Sequence, residues 1–223
     1  MRTLLIDTST SFLFISFYDE TKKERIFFKQ MISHNNHSEN IINVIEEGLK
    51  ETNLKLKDFD KVIVGYGPGS YTGLRVGMVV AKMTAYSLNI PLYVVSSLTF
   101  VGSNYFKEDG TYIIYNIAKK DHCYLKLAVV NNGYIDALVD DTFTTDIEFG
   151  KYVDKYKPFV INEENYVINE DIIIRLSKKV DDIHSLVPNY LRKANSWNIL
   201  FVKWQLMILT KSLMVKLKYL VNH

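Results

Sequence analysis

Three apolar segments near the start of the chain predict a β-meander. Residues 3–9, 11–18 and 24–31 are rich in β-branched and aromatic side chains, a composition typical of strands. Residues 19–22 are polar and predict the turn between the last two segments. In the second strand both alternating sets of side chains are largely apolar, so we expect this strand to be covered on both faces.

Two longer apolar segments have the periodicity of helices. In the segment 39–52 the side chains of Ile41, Ile45 and Leu49 recur every four residues and predict one apolar row. The segment 74–88 is apolar nearly all round, which predicts a helix with little solvent-facing surface. We expect Thr72 to be its N-cap, and Asn89 followed by a proline to be its stop signal.

A stripe of small residues runs along the second predicted helix. Its members recur every four positions and are Gly73, Gly77, Ala81 and Ala85. Such a stripe fits a helix in the core of the chain, and it also fits a face that a partner helix approaches closely.

The segment 65–77, just before and within the start of this helix, holds five of the ten glycines in the chain. It follows a buried strand at 62–64, so the glycines lie in a strand-to-helix turn. Chain reversal there needs positive φ, and the start of the helix offers free backbone N–H groups. The segment lacks the lysine of a Walker A phosphate loop, and Arg75 lies one turn inside the helix.

The second half of the chain repeats the strand pattern of the first. A strand at 91–95 and a crossover at Ser96-Ser97 lead into it, and Asn131-Asn132-Gly133 predicts a type I′ hairpin turn. The elements predicted after the crossover are a helix at 98–105, strands at 111–116, 124–130, 134–139 and 159–161, and a helix at 172–176. The repeated meander indicates an internal duplication.

Composition is typical of a soluble globular protein: 48% of the 223 residues are hydrophobic and 23% are charged. The one cysteine, Cys123, excludes an intrachain disulfide and fits a reducing compartment. The N-terminal segment enters a strand pattern directly and has no signal-peptide pattern, so we expect a cytoplasmic protein.

The formal net charge of +2 conceals an asymmetry along the chain. No acidic residue follows Asp182, whereas six basic residues do: Arg192, Lys193, Lys203, Lys211, Lys216 and Lys218. Without these six the chain is net acidic. Because phosphate contacts dominate affinity for nucleic acids, we do not expect the main body to bind nucleic acid unaided.

Residues 195–223 differ in composition from the rest of the chain. They contain both tryptophans and no acidic residue, and lysines interrupt their apolar runs. We expect no transmembrane helix, because no uncharged span of about 18 residues exists. The lysines do not gather on one face either, as they would in a helix at a membrane surface.

No set of residues predicts an active site. His34 and His37 are three apart and lack convergent further ligands, so we expect no metal site. His122 and Cys123 are neighbours on an extended segment and point to opposite faces, without a third group to orient them. The motifs GxSxG, HExxH, CxxC and GxxxxGK[ST] are missing from the sequence.

The segment GPGSYTGLRVG at 67–77 resembles the signature of the bacterial TsaB (YeaZ) proteins. These are subunits of the machinery that makes threonylcarbamoyladenosine in tRNA. Three shorter segments agree with the family pattern: LIDTS at 5–9, HSE at 37–39 and LVPNYLR at 186–192. The resemblance is strong up to residue 97, thin after about 140, and ends near 194.

The resemblance implies an α/β fold of the duplicated actin-like type (ASKHA, ribonuclease-H-like), with two subdomains that are each a mixed sheet flanked by helices. We expect residues 1–97 to form the N-terminal subdomain, which carries the partner-binding helices. Residues 98–194 are expected to form a smaller C-terminal subdomain, and 195–223 an atypical basic apolar tail.

The resemblance also implies a non-catalytic accessory subunit that pairs with and activates a TsaD-like transferase. A TsaE-like ATPase joins that complex, and tRNA is contacted only through it. The implied subunit needs no cofactor of its own, although ATP or ADP at an interface of the complex is compatible with this, as is a homodimer of the chain alone. The alternative is an enzyme of the same fold, either an ATP-dependent transferase or a glycoprotease-like hydrolase.

Partner contacts are then expected on the two helices of the first subdomain, at Ile41, Ile45, Leu49, Gly73, Gly77, Ala81 and Ala85. The turn at 7–10 resembles the phosphate-contacting turn of the actin and sugar-kinase superfold. A candidate nucleotide or phosphate contact therefore consists of Asp7, Thr8, Ser9, Gly67, Gly69 and Ser70. The alternative for Asp7 and Ser9 is a turn whose polar side chains satisfy nearby backbone groups.

Overall fold

The computed structural model describes residues 1–33, 37–192, 215–217 and 219–221, with the backbone alone for 37–39. Its strands are β1 (Arg2–Asp7), β2 (Phe12–Asp19), β3 (Glu24–Ile32), β4 (Lys61–Gly65), β5 (Leu92–Val95), β6 (Gly110–Lys119), β7 (His122–Asn131), β8 (Tyr134–Thr145), β9 (Phe159–Ile161) and β10 (Lys178–Lys179). Its α-helices are α1 (His37–Thr52), α2 (Tyr71–Leu88), α3 (Ser97–Gly102), α4 (Asp146–Tyr156) and α5 (Glu170–Leu176).

The strands form two mixed sheets that share one pattern. In the first sheet, with strand order β10-β5-β4-β1-β2-β3, the meander β1-β2-β3 is antiparallel and β4 lies parallel to β1. In the second sheet, with order β8-β7-β6-β9, the meander β6-β7-β8 is antiparallel and β9 lies parallel to β6. The predicted duplication and the two-subdomain α/β fold are confirmed.

The first sheet lies between two apolar layers. The helices α1 and α2 cover one face, where alternate residues of β1 such as Leu4 and Ile6 point. The other face, which includes Leu5, packs on α3 and on the second sheet. Coverage on both faces explains why β1 and β4 are continuous apolar runs without polar alternation.

The ends of α2 correct one sequence-based assignment. The helix begins at Tyr71, and the hydroxyl of Ser70 accepts a hydrogen bond from the backbone N–H of Gly73. Ser70 is therefore the N-cap, and the assignment of Thr72 is wrong by two residues. Asn89 ends the helix in the left-handed conformation, with φ of 54°, as the stop signal predicts.

The second meander matches its prediction with one extension. Asn132 and Gly133 both have positive φ, as a type I′ turn between β7 and β8 requires. The strand β8 runs on to Thr145, six residues beyond the predicted end. The short helix predicted at 98–105 divides into α3 and a 3-10 turn over Ser103–Lys107.

The chain returns to the first sheet after α5. The strand β10 pairs with β5, and Val180, Ile183 and Leu186 pack against the apolar layer of the first subdomain. The predicted C-terminal subdomain, 98–194, therefore extends too far. Residues 178–186 pack with the first subdomain, whose free sheet edge β10 extends, whereas Leu191 and Arg192 contact the second sheet.

Most of the predicted tail, 195–223, lies outside the described residues. The helical residues 215–217 and 219–221 are described, and Leu217 among them is buried against the first subdomain. Within the described part of the chain, no helix is long and apolar enough to cross a membrane.

Candidate functional site at the Gly-rich loop

The carboxyl ends of three parallel strands meet at one edge of the first sheet. β1, β4 and β5 are parallel neighbours, and they end at Asp7, Gly65 and Val95. In open α/β sheets this edge is where ligands usually bind. The Gly-rich loop after β4 and Ser97 after β5 therefore lie beside the carboxylate of Asp7.

The carboxylate of Asp7 is fully buried, and the chain itself supplies three donors to it. Its Oδ1 accepts hydrogen bonds from the backbone N–H of Ser9 at 2.9 Å and from the Ser9 hydroxyl at 2.7 Å. Its Oδ2 accepts from the Ser97 hydroxyl at 2.7 Å. Ser97 Oγ in turn accepts from the backbone N–H of Gly67 at 3.0 Å, which ties the loop to this network.

Burial raises the pKa of Asp7 to about 6, although its hydrogen bonds act in the opposite direction. The cause is the loss of hydration around the charged form, and no cation among the described residues contacts the group to offset it. The three donors described above are all neutral, and they engage both carboxylate oxygens.

The Gly-rich loop and α2 pack directly onto the β1–β2 turn. The backbone N–H of Ser70 donates to the carbonyl of Ser9 at 2.6 Å, and the hydroxyl of Thr8 donates to the carbonyl of Gly73 at 2.7 Å. A Cβ on Gly77 would overlap the Thr8 hydroxyl. The small residues of the stripe therefore let α2 approach the turn of its own chain.

The segment 184–190 packs along one side of α2 and leaves part of its outward face open. The backbone N–H of Asn189 donates to the carbonyl of Tyr66 in the Gly-rich loop at 2.7 Å. Arg75 lies over the ring of Tyr71, and its Nε donates to the Tyr190 hydroxyl at 2.8 Å. Lys82 donates to two backbone carbonyls of the same segment, each at 3.1 Å.

A second polar cluster joins the two subdomains. Asp141 on β8 accepts from the hydroxyl of Ser96 at 2.8 Å and lies 3.5 Å from the ammonium of Lys126 on β7. Burial raises the pKa of Asp141, and Lys126 acts against that rise. The pKa of Tyr66 is also raised, by burial and then by the charge of Asp141. This cluster fixes the second sheet against the loops that follow β4 and β5.

Comparison with known proteins shows the family to which the chain belongs. Residues 28–194 match the family model described as "TsaD: tRNA N6-adenosine threonylcarbamoyltransferase". The TsaB protein of Bacillus subtilis is 29% identical, over 88% of this chain and 96% of that protein. The chain belongs to the TsaD family, within its TsaB (YeaZ) group.

A solved structure and a second curated protein are also similar to this TsaB-family chain. The solved structure of YeaZ from Pseudomonas aeruginosa has a TM-score of 0.68 at 17% identity, over 85% of this chain and 99% of that one, which shows a shared fold. A tRNA N6-adenosine threonylcarbamoyltransferase of Clostridioides difficile is 38% identical over 34% of this chain and 23% of that protein. This match to the transferase of Clostridioides difficile covers one part of each chain.

Four of the six residues of the candidate phosphate contact are buried in the structure. Asp7, Thr8 and Ser9 are at most 1% exposed, and Gly67 is buried beneath Asn189. For these four residues the expected ligand contact is wrong in this structure, because their polar groups bind other parts of the chain. Gly69 and Ser70 alone reach the surface, so the alternative of a self-satisfied turn describes Asp7 and Ser9.

The residues expected at the partner contact lie in the core of the first subdomain. Those seven residues, all buried, are Ile41, Ile45, Leu49, Gly73, Gly77, Ala81 and Ala85. Their assignment to a partner surface is corrected, and the core alternative for the small-residue stripe holds. The reason is that α1 and α2 turn these faces to their own sheet.

The structure places the side chains of His122 and Cys123 in different surroundings. Cys123 is 2% exposed, and burial raises the pKa of its thiol to about 11, which suppresses the reactive thiolate. The ring of His122 stacks on Phe143 with centroids 5.1 Å apart. His34 and the side chain of His37 lie outside the described residues, among which no three metal-ligating side chains converge.

Sequence reasoning missed Ser97 and Asp141, which complete the two polar clusters. A signal for Ser97 was present, because it follows a strand that had to lie parallel to β4 and end at the same edge. Asp141 had no such signal, since its partners come from the other sheet.

Proposed function

We propose that this chain is a non-catalytic accessory subunit in the synthesis of threonylcarbamoyladenosine in tRNA. The observation that carries the proposal is the closed polar network around Asp7 in a member of the TsaB group. A phosphate would need hydroxyl and backbone N–H donors at this site. Those donors already form hydrogen bonds to the carboxylate and carbonyl groups of the chain itself. This arrangement favours an accessory role beside a catalytic partner over catalysis of threonylcarbamoyl transfer by the chain itself.

The proposed partner is a TsaD-like transferase, which the chain holds in its working form. Support comes from relatives such as the Bacillus subtilis protein, which is named a tRNA threonylcarbamoyladenosine biosynthesis protein. A TsaE-like ATPase belongs to the same proposal, and tRNA is bound through the complex. We assign any ATP or ADP to an interface of that complex, because the cleft beside Asp7 is filled by the chain itself.

The partner surface has to be the outward face of the helices, since their inward faces are buried. On α2 this face carries Val79 and Met83, which are half-buried, and Tyr86, which is 65% exposed. On α1 the outward side chains are polar, with Asn43 and Lys50 exposed. An apolar patch beside polar helix residues has the composition of a non-obligate interface.

Reconstitution of the tRNA modification tests this function. The TsaD-like protein of the same organism, the ATPase and the enzyme that supplies threonylcarbamoyl adenylate are combined with tRNA, with and without this chain. We expect the modified nucleoside to form only when the chain is present, as measured by nucleoside mass spectrometry. The chain alone should neither transfer the group nor hydrolyse ATP, and turnover lost in Asp7→Ala would favour the enzyme alternative.

A pair of variants locates the contact. Tyr86→Asp introduces a charge on the proposed face and should weaken binding to the transferase in titration calorimetry by about tenfold or more. The matched control is Ile147→Asp on α4, which is 77% exposed in the second subdomain and should bind normally. Equal binding by both variants would move the contact away from α2. Sedimentation of the chain alone measures self-association through the same face.

A further inference from the structure

A cavity of about 430 Å³ lies in the second subdomain, where the 3-10 turn over Ser103–Lys107 meets β6 and β9. Its volume is in the range of sites that bind small ligands, which is roughly 300–1,000 Å³. Its lining residues are distinct from the polar clusters around Asp7 and Asp141. The cavity is therefore a separate feature, to which the proposed function gives no role.

Three aromatic side chains form one side of this cavity. Tyr112 on β6 and Phe159 on β9 are register partners in the parallel pair, with ring centroids 6.4 Å apart. The ring of Tyr105, from the 3-10 turn, lies 5.2 Å from that of Phe159 and 6.4 Å from that of Tyr112. These are distances of rings in direct contact. We call Tyr105, Tyr112 and Phe159 the aromatic wall.

The aromatic wall is held in place by its own polar ends. The Tyr105 hydroxyl donates to the carbonyl of Asn165 at 2.7 Å, and the Tyr112 hydroxyl donates to the carbonyl of Glu108 at 3.0 Å. Phe159 has no polar end, and it is 53% exposed although it is a large apolar side chain. The wall therefore offers a ligand fixed aromatic surface.

Two carboxylates line the same cavity. Glu108 and Asp109 are exposed, and within the described part of the chain neither carboxylate forms a hydrogen bond or an ion pair. The pKa of Tyr112 is raised by burial and then by the negative charges of these two residues. The carboxylates thus act electrostatically on the aromatic wall.

Other aromatic rings of the chain carry a cation of the chain itself. The guanidinium of Arg25 lies 4.2 Å from the ring centroid of Phe28, and that of Arg75 lies 4.1 Å from the ring centroid of Tyr71. Among the residues that the structure describes, no lysine or arginine lies over the aromatic wall. Aromatic rings and carboxylates both attract cations, so this cavity combines two elements of a cation site without a cation of its own.

We propose that the cavity binds a small organic cation of the quaternary ammonium class, with its methyl groups on the aromatic wall and its charge facing Glu108 and Asp109. Pairing with an exposed carboxylate changes an affinity by about fivefold at most, whereas a desolvated cation over aromatic rings gains up to about thirtyfold. The wall therefore decides which cation binds. A methylated ammonium sheds water readily, whereas a primary ammonium is strongly hydrated.

Three ligands of similar size test the class of cation. Choline, its uncharged carbon isostere 3,3-dimethylbutanol and the primary amine ethanolamine are titrated into the isotope-labelled full chain at low salt. We expect choline to shift the amide resonances of Gly110 and Phe159 saturably, and its methyl protons to move upfield because ring currents shield them. The other two ligands should bind about tenfold more weakly or less.

Variants with matched controls test the site. Phe159→Leu removes one ring and should weaken choline binding about tenfold, whereas Tyr134→Leu removes a ring that is 77% exposed on β8 and should have no effect. Glu108→Gln should weaken binding about two- to fivefold, and the same loss of charge in Asp136→Asn on β8 should not. Phe159→Tyr retains a ring and should bind as wild type does.

Each contrary result overturns the proposal in a different way. Equal binding of choline and its uncharged isostere would show an apolar site rather than a cation site. Unshifted methyl protons at saturation, or unchanged affinity in a folded Phe159→Leu, would exclude contact with the aromatic wall. Tighter binding of N-acetyl-lysine methylamide than of choline would assign the cavity to a lysine side chain of a protein partner. No saturable binding of choline would overturn the proposal outright.

Discussion

The two halves of the molecule share one strand pattern but differ in how much of it is buried. The strand β4 is buried along its whole length, whereas its counterpart β9 has a single buried residue. The turn of the first hairpin, with Thr8, Ser9 and Thr10, is at most 4% exposed. The turn of the second, at 119–121, is exposed.

The helices show the same contrast. The helix α2 has nine buried residues, and α4, which covers the outer face of the second sheet, has none. The first sheet is the middle layer of the molecule, so its polar turn had to be satisfied internally. The second sheet forms an outer layer, so its turn at 119–121 is open to solvent. The two copies of the duplicated topology therefore differ in the burial and hydrogen bonding of their turns and helices.

The largest effect is expected where α2 touches the first turn. Gly77→Leu places four carbons against Thr8, where even a Cβ overlaps the hydroxyl. We expect a loss of about 3 kcal/mol or more in the free energy of unfolding, because the buried site has no room to relax. Urea denaturation followed by circular dichroism measures it.

Gly150→Ala in α4 is the matched control from the second half. A Cβ there would meet nothing within 4 Å, and the helix gains propensity. The free energy of unfolding should rise by roughly 0.5–1 kcal/mol. Similar losses in the two variants would contradict the difference in burial between the halves.

The next effect concerns pH and Asp7. Its pKa of about 6 in the folded chain lies above the ordinary value of 3.8, so between these values the folded state holds a proton that the unfolded state has lost. Stability therefore falls as pH rises from about 4 to about 6, by up to roughly 3 kcal/mol. Asp7→Asn cannot ionise, so its profile should lack this fall, and above pH 6 it should be the more stable protein.

Thermal melting of wild type and Asp7→Asn from pH 4 to pH 8 measures the difference. Asp140→Asn makes the same change in net charge at a carboxylate that is 88% exposed, and it controls for that change. If the melting temperatures of wild type and Asp7→Asn changed with pH in parallel, the buried position of the carboxylate would be contradicted.

The smallest effect compares two ion pairs. Arg25 binds both carboxylate oxygens of Glu170, at 2.7 and 3.0 Å, and Glu170 is 5% exposed. Arg25→Met leaves that carboxylate with the Ser16 hydroxyl as its remaining donor among the described residues. It should cost about 1–2 kcal/mol, since Arg25 itself is 38% exposed. Lys151→Met breaks an exposed pair on α4 and should leave the free energy of unfolding almost unchanged.

Both variants are measured by urea denaturation at low and high salt. The Lys151 effect should vanish at about 1 M salt, whereas most of the Arg25 effect should remain, because a partly buried pair is screened less. Equal salt sensitivity would indicate that Glu170 is hydrated.

Periodicity in the sequence was enough to place most strands and helices, because alternation and four-residue spacing report local burial directly, but it predicted neither α4 nor β10. Repetition of the meander was enough to indicate two related sheets. The stripe Gly73, Gly77, Ala81 and Ala85 was recognised as a close-contact face, but the sequence could not say which backbone approaches it. That answer depends on the position of Thr8, which is more than 60 residues away along the chain.

The sequence by itself determined most of the elements, the Gly-rich turn and the family resemblance, since all of these rest on neighbours along the chain. The tertiary structure alone decided that Asp7 is closed off by Ser97, that β10 returns to the first sheet, and that Leu217 reaches the first subdomain. Each of these contacts joins residues far apart in sequence, and its stability comes from burial that no local pattern encodes.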